Sequence, residues 1–203
     1  MRSLPRTVQL LAGIAMVVGG LGGGRALSEV VAYSGDHDDF VVARRRELEV
    51  RSQITGRLPA EVLDKVGDQV GERAWSRRGI NLPLAIANLV LSTMLFVGAM
   101  RALGRSHWGH GAWQFAAMLS VPYTVLQTVV LIIEAHDGRD ANVALIAAMQ
   151  KHGPVEALAT LQTTLERVIV GAGAALLVAY YAFCAVYLRR PAVTALFVEP
   201  TAE

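Results

Sequence analysis

Two short clusters carry the residue types best suited to chemistry. Ser34-Gly35-Asp36-His37-Asp38-Asp39 and Glu134-Ala135-His136-Asp137-Gly138-Arg139-Asp140 each combine a histidine with several carboxylates. Imidazole nitrogen and carboxylate oxygen together suit zinc or another divalent ion. A metal site would draw on His37, Asp39, His136 and Asp140, provided that the fold brings the clusters together. Neither cluster has a recognised ligand spacing, and Asp, Gly and Ser are ordinary turn residues. Asp39 and Asp140 are also well placed to cap a following helix. Turns and caps are the preferred reading, so neither a metal nor a cofactor is expected.

A second set is polar but uncharged. Ser120, Thr124 and Gln127 share one helical face with Tyr123 beside them, and Asn88 and Ser92 form a shorter pair. Such rows could line a polar pathway through a small channel or transporter. The competing role is interhelical hydrogen bonding, which contributes roughly 0.6 to 2 kcal/mol per bond within a membrane. That role is preferred. A third stretch, Ser106-His107-Trp108-Gly109-His110-Gly111-Ala112-Trp113, sets two Trp and two His in a short turn, the composition of an interfacial aromatic belt. No phosphate-binding loop of the Walker type, Gly-x-Ser-x-Gly elbow, His-Glu-x-x-His or Cys-x-x-Cys occurs, so no enzymatic activity is expected. Cys184 is the only cysteine, which excludes an intramolecular disulfide.

The elements that must position these residues are four apolar runs, at about 7–24, 82–103, 112–133 and 168–188. The last three hold about twenty residues each without a central charge, the length at which a helix crosses the hydrocarbon. Backbone groups in lipid must bond within their own segment, so the runs are predicted to be helices. The chain has 203 residues, 53% of them hydrophobic, with only 18% charged and most of those between the runs. Mean hydropathy is +0.40. The predicted fold is all-α: an integral membrane four-helix bundle forming one domain over 1–203, with a small helical extracytoplasmic cap from 25–80 and 135–166. Arg101, Glu134, Glu166 and Arg167 fall at span ends, where they can reach the interface, and no ionisable residue falls near mid-bilayer. Ion-coupled transport is therefore poorly supported. A net charge of +2 gives no footprint for nucleic acid. The expected partners are the lipid bilayer and either a second copy or another membrane protein.

Orientation follows from the short basic segments. Arg2 and Arg6, then Arg101 and Arg105, then Arg189 and Arg190 lie in short acid-free stretches, which places both termini in the cytoplasm of a cell membrane. The ten basic residues of 25–80 argue the other way, but long loops weigh less. Seventeen of nineteen basic residues are Arg, a usage associated with GC-rich bacteria, so the bacterial inner membrane is the expected location. The first run, followed by Gly24-Arg25-Ala26, could also be read as a cleaved signal peptide; the uncleaved anchor is preferred because three further spans follow. In the cap, Leu63, Val66, Val70 and Ala74 form an apolar stripe after Pro59, weakened by Gly67 and Gly71. A helix at 141–151 should end at Gly153-Pro154, and another starting near Val155 should run into the fourth span. Ala15, Gly19 and Gly23, and likewise Gly171, Ala175 and Ala179, repeat at four-residue spacing. These small faces are expected to pack spans one and four together. A non-enzymatic accessory or scaffold protein is the expected function.

Overall fold

The computed structural model describes residues 4–55, 60–137, 143 and 155–197. Seven helices follow in order: α1 (Arg6–Ser34), α2 (His37–Thr55), α3 (Ala60–Ser76), α4 (Arg78–Leu103), α5 (His107–Asp137), α6 (Val155–Leu188) and the short α7 (Pro191–Thr194). No strand occurs among the described residues, and the protein is all-α. Four of these helices, α1, α4, α5 and α6, are long and apolar enough to cross a membrane. A helix covers each of the four expected apolar runs, and three of the helices extend well past them. At 1.5 Å per residue the 34 residues of α6 extend about 51 Å, against about 30 Å of hydrocarbon.

The helix boundaries follow local chemistry. The turn after α4 places Arg105 in the left-handed region at φ 61°. Its N–H bonds the carbonyl of Ala102, and that of Ser106 bonds Arg101, the paired arrangement that closes a helix C-terminus. Ser106 then caps α5, its Oγ accepting from the Gly109 N–H at 3.2 Å. Asp38 and Asp39 lie inside the first turn of α2, where their charge favours the helix dipole. Asp39 is thus not a residue ahead of its helix, as the capping reading had it. Asp36 holds that place, its carbonyl accepting from the Phe40 N–H at 3.0 Å. The helix expected at 141–151 and its cap, Asp140, lie outside the described residues.

By internal packing the chain forms two compact units: Met1–Ser28, Leu84–Gln127 and Gly173–Glu203 make the first, Glu29–Pro83 and Thr128–Ala172 the second. The first unit is a bundle whose core joins Val8, Leu11, Ala12 and Ala15 of α1 to Leu95, Ala99 and Ala102 of α4. Trp113, Ala116 and Ala117 of α5, Tyr181, Cys184 and Leu188 of α6, and Val193 and Phe197 of the tail complete it. Alanine dominates because helices in lipid associate by close van der Waals contact rather than by burying apolar area. The α4–α5 turn, the start of α1 and the tail after α6 share one end of this core. Arg6, Arg105, Arg189 and Arg190 flank that end in sequence.

Glycines set the closest approaches. A Cβ on Gly19 would lie 2.7 Å from the Ser92 carbonyl oxygen of α4, and one on Gly98 would lie 2.7 Å from the Trp113 nitrogen of α5. The glycine ridge of α1 therefore packs on α4 and not on the small-residue face of α6, whose Ala175 and Ala179 are exposed. Helices α1 and α6 meet elsewhere, where Tyr180 Oη donates to the Leu11 carbonyl at 2.9 Å. A four-residue repeat marks a face that admits a close neighbour; nothing in the repeat specifies which neighbour.

In the second unit α2 and α3 form a hairpin. Here Gly67 and Gly71, read from sequence as weak points, are the contact itself. A Cβ at Gly67 would come 3.0 Å from Arg45 Cγ, and one at Gly71 would come 3.1 Å from Val41 Cα. The cost in helix propensity, about 1 kcal/mol per glycine, is offset by bringing two backbones together. Among the described side chains of the hairpin, Phe40, Val41 and Val66 are buried and apolar.

Candidate functional site

Three polar constellations emerge, and the first is the row proposed as a pathway. Ser92 is buried, and its Oγ donates to Asn88 Oδ1 at 3.1 Å. The same Oγ would lie 2.7 Å from a Cβ on Gly22, so Ser92 faces α1. Ser120 and Thr124 are buried, and Thr124 Oγ1 donates back to the Ser120 carbonyl at 2.6 Å. Tyr123 Oη crosses to α4, donating to the Leu84 carbonyl at 3.0 Å. Gln127 is partly exposed. Ser92 thus bonds Asn88 within α4, Thr124 bonds a carbonyl within α5, and Tyr123 joins the two helices, with Ser92 turned toward α1.

The second constellation occupies the α2–α3 hairpin. His37 Nδ1 lies 2.9 Å from Asp38 Oδ1, and its Nε2 lies 3.0 Å from Glu72 Oε2 of α3. The His37 ring meets Trp75 edge-on at 5.4 Å between centroids. Phe40 packs between Tyr33, at 4.9 Å, and Trp75, at 5.3 Å. Two guanidinium groups lie over this aromatic cluster, Arg44 over Phe40 at 5.3 Å and Arg78 over Trp75 at 4.6 Å. Further along, Arg45 pairs with Asp68 and, at 3.4 Å, with Asp64. Beside the cluster, Asn81 Nδ2 donates to both Tyr33 Oη, at 3.1 Å, and Glu134 Oε1, at 2.8 Å, which ties α1, α4 and α5 together. The hydrogen bonds from Asp38 and Glu72 raise the His37 pKa above its ordinary 6.5, with partial burial opposing them.

For the metal reading, His37 is engaged by Asp38 and Glu72, and Asp39 is exposed in the first turn of α2. His136 lies in the last turn of α5, and Asp140 falls outside the described residues. Among the described residues no three His, Cys, Asp or Glu side chains converge to hold a metal ion.

The third constellation was hidden in the Trp-His turn. Trp108 is exposed, as an interfacial residue should be, but His110 and Trp113 are buried. His110 Nε2 lies 3.0 Å from the carbonyl of Leu188, near the end of α6, and its ring stacks on Phe197 at 4.4 Å. A neutral imidazole protonated at Nε2 donates there, satisfying one of the carbonyls that every helix C-terminus leaves open. Thr194 Oγ1 approaches the same carbonyl at 3.3 Å. The sequence signal for this role is slight: a histidine at helix-start spacing with no acid nearby.

No family model matches this chain, and comparison with curated proteins and with solved structures finds no similar protein.

Proposed function

We propose that this chain is a non-enzymatic scaffold or accessory protein of a cell membrane, that of the bacterial inner membrane, which packs against a second copy or another membrane protein. Both termini lie in the cytoplasm and the α2–α3 hairpin lies on the opposite side. The observation that carries this reading is the use of Ser92, Thr124 and Tyr123 as donors to protein groups: Asn88 within α4, the Ser120 carbonyl within α5, and, from α5 across to α4, the Leu84 carbonyl. The Tyr123 bond holds two helices together, and hydroxyls bonded within their own helix have less capacity left for a translocated ion or solute. The orientation is supported by Arg6, Arg105, Arg189 and Arg190, which cluster in sequence around one end of the bundle core.

The test combines two measurements, one on protein purified in mild detergent and one on native membranes. Vesicles reconstituted with it should show the same ion and small-dye leakage as empty vesicles, and in-membrane crosslinking followed by mass spectrometry should recover a dimer or a stoichiometric membrane partner. Leakage abolished by Ser120→Leu or Thr124→Leu would instead establish the small channel. A protein that is monomeric and crosslinks to nothing would overturn the scaffold.

A further inference from the structure

We propose that the α2–α3 hairpin carries a pH-sensitive latch, in which the imidazolium of His37 ties Glu72 of α3 to the first turn of α2. Both ring nitrogens of His37 lie within hydrogen-bonding distance of a carboxylate oxygen, at 2.9 Å for Asp38 and 3.0 Å for Glu72. Ionised carboxylates only accept, so both nitrogens must donate, and only the protonated ring has two N–H groups. A neutral His37 keeps one N–H and loses one of the two bonds. The charge also matters, because both hydrogen bonds are charge-assisted when the ring is cationic.

The groups around His37 all bear on the same equilibrium. Asp38 acts from its own helix and Glu72 from α3, both favouring the cation. Trp75 of α3 meets the ring edge-on and carries Arg78 of α4 at 4.6 Å from its centroid, a charge that opposes the cation. Two carboxylates in direct contact outweigh one guanidinium beyond an indole, in agreement with the raised pKa of His37. A histidine whose pKa is raised on folding contributes stability that is complete below its unfolded value, 6.5, and is lost as pH rises through the folded value. The latch therefore closes in acid and opens toward alkaline pH.

Only one end of the hairpin responds. The other contacts, Arg45 with Asp64 and Asp68 and the approaches at Gly67 and Gly71, involve no group that ordinarily titrates near neutrality. His37 pairs the start of α2 with the end of α3, and α3 is separated from the membrane-crossing α4 by Arg77 alone. Deprotonation would loosen the hairpin where it joins a span and leave its far end paired.

Trp75 supplies the readout, since a protonated imidazole in ring contact quenches indole emission. The experiment records emission of full-length protein in detergent between about pH 5 and pH 9, the range in which histidine titrates, for wild type and Trp75→Phe. Their difference isolates Trp75. It should rise with pH through a midpoint above 6.5, and the titration should vanish in His37→Gln. Glu72→Gln and Asp38→Asn should each move the midpoint downward, and they carry the test if His37→Gln does not fold. A Trp75 signal that does not titrate, that still titrates in His37→Gln, or whose midpoint ignores both carboxylate substitutions would overturn the latch.

Discussion

At the scale of single residues, the interhelical contacts are governed by what a side chain would displace. Gly19 is the sharpest case, because an added Cβ would sit 2.7 Å from one backbone atom of α4 and 2.9 Å from another. Backbone cannot move aside as a flexible side chain can. Gly19→Leu should therefore lower stability by about 1 to 3 kcal/mol, read as a fall in melting temperature in detergent, whereas Ala175→Leu on the exposed face of α6 should be nearly neutral. Equal effects of the two would mean that α1 does not rest on α4 through its glycines. His110 allows a second prediction. His110→Ala removes the nearer of two donors to the carbonyl of Leu188, which is fully buried, together with the ring stacked on Phe197, and should cost about 1 to 3 kcal/mol. His107→Ala, one turn earlier and exposed, is the control and should be silent. Sequence reading located the glycine ridge, the polar rows and the Trp-His turn, but not what each one touches. The type and spacing of Gly19, Ser92 or His110 record the kind of neighbour that fits, while its identity is decided by helix rotation, which a periodic pattern leaves open.

At the scale of elements, the local rules worked where backbone chemistry alone decides. Pro59 and Pro154 are each followed by a helix, at Ala60 and Val155, and α6 runs unbroken from Val155 through the fourth span. Along the expected stripe of α3, Val66 is buried and Val70 and Ala74 are partly buried, while the Leu63 side chain lies outside what is described. The reading failed at Gly67 and Gly71, where propensity was weighed without the partner helix. Propensity counts what a residue does to its own helix and is blind to how closely another can come. Gly71→Leu is the corresponding test, because it would drive a side chain into the backbone of Val41. Amide hydrogen exchange along α2 and α3 should speed up together in this variant. Exchange unchanged from wild type would show that the hairpin does not close at Gly71.

At the scale of the whole molecule, four helices long and apolar enough to cross a membrane were legible from composition and run length, because the requirement that lipid imposes on a backbone is local. What they enclose was not legible, since the same Ser, Thr and Asn row can line water or join helices. The proposed arrangement is a multi-pass membrane protein with its termini on the cytoplasmic side and its α2–α3 hairpin on the other. Impermeant thiol labelling of intact cells tests it most directly, with the buried native thiol removed as Cys184→Ala and single cysteines introduced as Asp64→Cys, Arg105→Cys and Arg189→Cys. Asp64 is exposed on α3, Arg105 lies in the α4–α5 turn, and Arg189 directly follows α6. With this orientation, Asp64→Cys is labelled in intact cells and the other two only after the membrane is permeabilised. Labelling of Arg105→Cys in intact cells, with Asp64→Cys protected until permeabilisation, would contradict it.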